Sequence, residues 1–289
     1  MRPEAAERRL AWALLAPALA VTGGVALFPL AWSVWESLHR HDLRLPWLGR
    51  PFVGLANYRE IAADGRFWEA LLHTLGFTLA SVGLELVLGL ALALAMDRTF
   101  RGRRFLRAAV LVPWALPTVV AAMLWRFLFD TPSGLTGARI VWLAGPATAW
   151  VPIVLADVWK TTPFVALLLL AGLQGIDPAL HEVAKVDGAS PARRLWSLTL
   201  PLLRPALLVA VVFRAVDAFR VFDLVFVLTG GGPGTATEPL ALYAYDALFA
   251  NLRFGYGAAL SVVVFLAACA LALVPFLILG ADLGREGER

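Results

Sequence analysis

The chain is 289 residues long, 60% of them hydrophobic and only 16% charged, with a mean hydropathy of +0.75. That balance excludes a soluble domain with a wetted surface and reads as an integral membrane protein, all-α because an open segment in lipid can satisfy its backbone only as a helix. The formal charge of +4 does not point to nucleic acid, since the arginines gather in short links between apolar runs and form no broad basic face.

In chain order, Arg2, Arg8 and Arg9 precede an apolar run from Leu10 to Trp32. A cleavable signal core is roughly 7–15 residues long, whereas this run can cross about 30 Å of hydrocarbon, so it reads as a retained first helix. Runs of spanning length recur, giving six expected transmembrane helices at about 10–34, 71–96, 105–128, 150–174, 205–229 and 258–281. The expected division is a tail and first helix at 1–36, an external loop at 37–70, a five-helix core at 71–283 that includes a polar loop at 177–201, and a short tail at 284–289. Pro17, Pro29, Pro113, Pro117, Pro152 and Pro163 lie inside the runs, where bundled membrane helices tolerate them as kinks.

Orientation follows from the Lys/Arg bias of the short flanks. Arg98, Arg101, Arg103, Arg104 and Arg107 fill one link, and Lys185, Arg193, Arg194 and Arg204 another. The alternate links at 130–149 and 230–257 carry only Arg139 and Arg253. The long 37–70 link is the exception, with five arginines partly balanced by Asp42, Glu60, Asp64 and Glu69. Both termini and the 177–201 loop are therefore expected in the cytoplasm. Residues 230–239, Gly-Gly-Gly-Pro-Gly-Thr-Ala-Thr-Glu-Pro, form a breaker cluster in an outer link.

One cysteine, Cys269, lies in an apolar run, which excludes an intrachain disulfide framework, and His39, His41, His73 and His181 show no metal-ligand spacing. Charges within spans cost roughly 2.5–3.5 kcal/mol each on insertion scales and so suggest function. The fifth run carries Arg214, Asp217, Arg220 and Asp223, spaced by three with alternating sign, so they can pair along one helix. At about 1.5 Å per residue, Arg214 falls near mid-bilayer and Asp223 near the outer interface. In the fourth run Asp157 and Lys160 are spaced to pair, and Trp159 could stack on an apolar sugar face. A solute path through Trp159, Lys160, Asp217, Arg220 and Asp223 stands beside the alternative of ion pairs that hold helices together. Arg126 reads as snorkelling to headgroups, and Trp32, Trp35, Trp114, Trp125 and Trp150 as interfacial anchors.

The 177–201 loop has its own signals. Asp177-Pro178 and Ser190-Pro191 are helix entries, and Gly188 can take the left-handed conformation that closes a helix. Two short helices, about 178–187 and 191–200, are expected, the second stopped by Pro201. Physics alone allows an interfacial hairpin with Leu195, Trp196 and Leu198 dipping into lipid.

The spacing resembles the EAA loop of ABC-importer permeases, in which Glu-Ala-Ala is followed by three residues, Gly, nine residues, Ile, any residue and Leu-Pro. Here the same intervals hold Glu182-Val183-Ala184, Gly188, Leu198 and Leu200-Pro201. The likeness extends over nearly the whole chain and narrows to carbohydrate-importer permeases through Gly54 to Tyr58, Val112 to Pro117 and Leu228 to Pro233. Trp159 to Phe164 and Phe213 to Asp223 look like the trehalose- and maltose-type members.

The resemblance implies six helices of the type I importer fold and a loop that docks as a coupling helix on a separate ATP-binding subunit. Glu182 would make the ionic contact, Ala184 allow close approach and Gly188 form the turn, with Asp187 in the same set. It also implies a second permease subunit, two ATPase copies, an extracytoplasmic sugar-binding protein and surrounding lipid. ATP and Mg would be bound by the ATPase, with no cofactor in this chain. The residues agree, since neither lysine, Lys160 or Lys185, ends a phosphate-binding loop pattern. An ABC permease for glycerol phosphate or another sugar and an ion-coupled secondary transporter remain the alternatives, the latter with intramembrane aspartates as proton or cation sites. An intramembrane enzyme lacks a nucleophile motif.

Overall fold

The computed structural model describes the backbone of residues 3–98, 100–130 and 141–286, and side chains within these ranges from 8 to 274. Arg2, Arg139 and the tail at 287–289 lie outside the described residues. Among the described residues the elements are helical. The helices are α1 (Arg8–Ser37), α2 (Ala56–Ala63), α3 (Gly65–Asp97), α4 (Arg103–Ala115), α5 (Thr118–Phe129), α6 (Trp150–Gln174), α7 (Pro178–Val186), α8 (Pro191–Phe219), α9 (Asp223–Leu228), α10 (Leu240–Ala250) and α11 (Phe254–Glu286).

Five of these, α1, α3, α6, α8 and α11, are long and apolar enough to cross a bilayer. The third expected span is not one rod. α4 and α5 meet at a 91° bend, and each, at roughly 18–20 Å, is too short to cross alone. Leu116-Pro117 explains the break: the residue before a proline is driven out of the helical region, and Leu116 is extended at ψ 138°. The fifth expected span also stops early. α8 ends at Phe219, and Arg220, Val221 and Phe222 turn the chain into the separate α9. Arg220 and Asp223 therefore do not continue one ladder of charges with Arg214 and Asp217.

Pro201 does not stop a helix either. A wide turn at Leu195–Thr199, closed by the Leu200 N–H on the Leu195 carbonyl, shifts the hydrogen-bond ladder just ahead of the proline, where its missing donor falls on an already offset register. The same device stands before Pro29, where Gly23–Leu27 is closed by the Phe28 N–H on the Gly23 carbonyl. α8 is consequently continuous for 29 residues, about 43 Å, which exceeds the hydrocarbon thickness by a helical turn or more.

The chain forms two compact units, Met1–Phe67 with Tyr243–Phe265, and Trp68–Leu242 with Leu266–Arg289. In the first, the Asn57 side-chain amide donates to the carbonyls of Ser37 (2.7 Å) and His39 (3.0 Å), fixing α2 to the end of α1. The Asp64 carboxylate accepts from the hydroxyls of Tyr243 and Tyr256, tying α2 to α10 and α11.

In the second unit, one apolar cluster joins Phe77, Ile153, Ala218, Leu224, Val225 and Leu228, and another joins Met96, Val165, Leu169, Leu203 and Ala210. Within lipid such contacts gain little hydrophobic transfer energy, so close packing carries the association. Gly172 shows how close: a Cβ there would stand 2.6 Å from the Ala206 Cβ on α8.

Candidate functional site

The second unit holds the charges that the apolar runs must accommodate. Arg214, on α8 and 2% exposed, donates through Nε to Glu85 Oε2 at 2.5 Å and through Nη2 to Glu85 Oε1 at 2.8 Å. The same Nη2 reaches Asp157 on α6 at 3.0 Å, and Nη1 bonds Asp217 one turn along α8. Glu85, on α3, is completely buried and also lies 2.6 Å from the Thr161 hydroxyl. That hydroxyl is equally close to the Asp157 carbonyl at 2.6 Å, and its single proton can serve only one of them. A planar guanidinium with five donors suits this arrangement, because it can satisfy a bidentate carboxylate and two further acids together. Three spans, α3, α6 and α8, are thereby pinned at one point.

Sequence reasoning singles out Asp217 and Asp157 but passes over Glu85. The signal is present, since Glu85 is an isolated acid within the apolar run Leu84 to Leu94. The expected Asp157 to Lys160 pair does not form, because Arg214 takes Asp157.

Beside this cluster lies a groove of about 510 Å³, whose walls include Trp114, Lys160, Phe164, Phe213, Asp217 and Arg220. A smaller pocket of about 140 Å³ is lined by Asp157, Lys160, Asp217, Arg220 and Asp223 among others. Four of the expected path residues, Lys160, Asp217, Arg220 and Asp223, are therefore brought together. Asp217 turns an exposed carboxylate outward while one oxygen holds Arg214. Among the described residues, Lys160 and Arg220 make no ion pair, which leaves two cations available to a solute.

Trp159 lies outside both pockets and packs edge-on against Trp125 at 6.0 Å. The aromatic wall of the groove is built instead from Trp114, stacked on Phe164 at 6.0 Å, with Phe213 edge-on to Phe164 at 6.3 Å. Trp114 thus lines the groove. Trp150 packs into the core and donates to the Ala236 carbonyl at 3.0 Å, and Arg126 donates to the Val227 carbonyl at 3.0 Å in place of the expected snorkelling.

The loop between α6 and α8 follows its local signals closely. The Asp177 carboxylate accepts from the Ala179 N–H at 2.9 Å, and the Ser190 hydroxyl accepts from the Arg193 N–H. At the end of α7, Gly188 has φ +75°, its N–H bonds the Lys185 carbonyl (3.0 Å), and the Ala189 N–H bonds the Ala184 carbonyl (2.9 Å). This is the paired closure in which glycine at the left-handed position lets two further carbonyls be satisfied.

No α7 side chain is buried. Val183 and Val186 are 60% and 88% exposed, an apolar face left uncovered among the described residues. Glu182 projects from the same helix, paired with Lys185 at 2.6 Å, and that hydrogen bond and charge hold its carboxyl below the usual range. Ala184 is partly covered by the chain itself, whereas Asp187 at the helix end is exposed.

These features define a class: a multi-pass membrane protein with a polar, charge-lined groove between spans and an exposed helical loop rigidly joined to them. Residues 85–281 match the family of binding-protein-dependent transport system inner membrane components. The chain is 42% identical over 277 residues to the trehalose/maltose transport system permease protein MalF of Thermococcus litoralis, covering 93% of this chain and 92% of that protein. It is 42% identical over 280 residues to the trehalose transport system permease protein SugA of Mycobacterium tuberculosis, covering 96% and 90%. A crystal structure of a bacterial ABC transporter involved in the import of the acidic polysaccharide alginate contains a chain of the same fold, with TM-score 0.83, 20% identity and coverage of 96% and 97%. The protein belongs to this family and is an ABC transporter permease.

Proposed function

We propose that this chain is one permease of an ATP-driven importer that passes a sugar, of the trehalose or maltose kind, into the cytoplasm by alternating access. The observation that carries the sugar assignment is the near full-length likeness at 42% identity to two permeases named for those disaccharides. The groove walled by Trp114, Phe164 and Phe213 supports it, since aromatic faces beside hydrogen-bonding charges suit a ring with one apolar face. Lys160, Asp217, Arg220 and Asp223 would supply the hydrogen bonds.

In this reading the 177–201 loop and both termini face the cytoplasm of a bacterial inner membrane, in keeping with the arginine-rich links. α7 docks into a separate ATPase subunit: Val183 and Val186 fill an apolar cleft, Glu182 exchanges Lys185 for a basic partner, Ala184 permits close approach, and Asp187 and Gly188 end the helix. ATP and Mg are bound by two copies of that subunit. A second permease completes the path, and an external sugar-binding protein delivers the solute. Because α8 runs unbroken from Pro191 to Phe219, displacement of the docked loop would reach the groove as a rigid-body movement.

A second reading, an anionic solute such as glycerol phosphate, draws on Lys160 and Arg220 in the groove, neither of them in an ion pair among the described residues. One experiment separates them: ATPase activity of the assembled, reconstituted transporter with its binding protein, assayed with trehalose, maltose and glycerol phosphate. Stimulation by either disaccharide supports the first reading, and stimulation by glycerol phosphate alone overturns it.

A further inference from the structure

The first unit contains a cavity of about 390 Å³ that the transport path does not use, within the roughly 300–1,000 Å³ typical of small-molecule sites. Its lining places an acid, a base and an aromatic wall together: Glu36, His41 and Arg50, with Trp32, Leu248 and Phe254.

Glu36 lies in the last turn of α1, and the residue is only 6% exposed. His41 Nδ1 bonds its Oε1, but the buried Oε2 has no partner. A carboxylate oxygen withheld from water without a donor is costly, and an orphaned group of this kind calls for a partner. Arg50, exposed at the same cavity, makes no ion pair among the described residues. The pocket thus offers an anion acceptor and a cation acceptor, short of a molecule that carries one ammonium and one acid group.

We propose that this cavity binds the headgroup of an aminophospholipid, the ammonium on the Glu36 carboxylate and the phosphate on the Arg50 guanidinium. The remaining walls favour a lipid over a free solute. Trp32 is 50% exposed at the end of a membrane span, and the most apolar stretch of α1 buries none of its residues, so acyl chains have an apolar surface to follow. A primary ammonium can donate to Glu36, whereas the trimethylammonium of phosphatidylcholine cannot.

The test uses the assembled transporter in phosphatidylcholine nanodiscs doped with phosphatidylethanolamine, with retained lipid counted by native mass spectrometry. Phosphatidylethanolamine should be retained over phosphatidylcholine, and Glu36→Gln should lower that retention about tenfold, as expected for losing one charge-assisted hydrogen bond. Arg50→Gln, at an exposed position that spares the fold, should weaken retention of phosphatidylethanolamine and of phosphatidylglycerol alike. It also decides the matter if Glu36→Gln fails to assemble. Retention unchanged in the variants, or no preference for phosphatidylethanolamine in the unsubstituted protein, overturns the proposal. So does occupation by water-soluble glycerophosphoethanolamine in preference to the bilayer lipid.

Discussion

Arg214 joins three spans of the membrane core. Its partner Glu85 is fully buried, so single and paired removal differ: truncating the arginine strands a desolvated carboxylate, whereas replacing both with apolar groups removes that carboxylate as well. Arg214→Ala should therefore destabilise the protein by about 3–5 kcal/mol, and the double change Arg214→Met with Glu85→Leu should recover part of that loss, the remainder reflecting Asp157 left without its arginine. Thermal unfolding of the solubilised complex measures both, and an Arg214→Ala protein as stable as the original would mean that the cluster holds nothing.

Glu85 is the member of the cluster that is not visible in the chain of residues. A charge in an apolar run announces itself, but its partner does not: Arg214 and Asp217 are three apart on one helix, whereas Glu85 is 129 residues away on another. The groove's aromatic wall is hidden for the same reason. Trp114, Phe164 and Phe213 come from three helices, and nothing local separates Trp114 from an interfacial anchor.

At the scale of elements, hydrophobic length locates the spans well because crossing lipid demands about 20 apolar residues, whatever their neighbours. It is blind to geometry within a run. The α4–α5 bend occurs inside an unbroken apolar stretch, and Arg220 to Phe222 end α8 amid apolar neighbours, so neither break disturbs the hydropathy. Prolines mislead in both directions. Pro117 breaks its span, while Pro201 is absorbed by a wide turn that has no sequence signature of its own. The helix entries and the closure of α7 are legible, since caps and a left-handed glycine are local chemistry, whereas the end of the second loop helix is not.

The Asp64 junction carries a pH prediction at this scale. Burial pushes its carboxyl up, but the hydroxyls of Tyr243 and Tyr256 and the Arg66 backbone N–H pull harder, leaving it below the ordinary 3.8. A folded value below the unfolded one contributes stability that is present above the unfolded value and lost as pH falls through the folded one. The junction of α2 with α10 should hold at neutral pH and loosen only below about pH 4, near the ordinary value of 3.8. Hydrogen exchange at Ala56–Ala63 would report this, and Asp64→Asn should abolish the acid dependence. Loosening that persists in Asp64→Asn would assign it to another group.

For the molecule as a whole, the proposed transport would use the exposed loop, the unbroken α8 and the polar groove as one lever. α7 presents Val183 and Val186 exposed among the described residues and Glu182 paired with Lys185 on the same helix, Gly172 seats α6 against α8 beside the loop, and the Arg214 cluster binds both helices to α3. Each link lies in the same compact unit. The claim most open to test is that the loop is where ATP hydrolysis enters the membrane. In sealed vesicles containing the assembled transporter, its binding protein and internal ATP, solute uptake and ATP consumption can be followed together for Glu182→Arg. The change lies on an exposed side chain and should leave the protein inserted while uptake collapses and hydrolysis, if it continues, ceases to depend on solute. Uptake and its ATP ratio unchanged from the original protein would contradict the docking role of the loop.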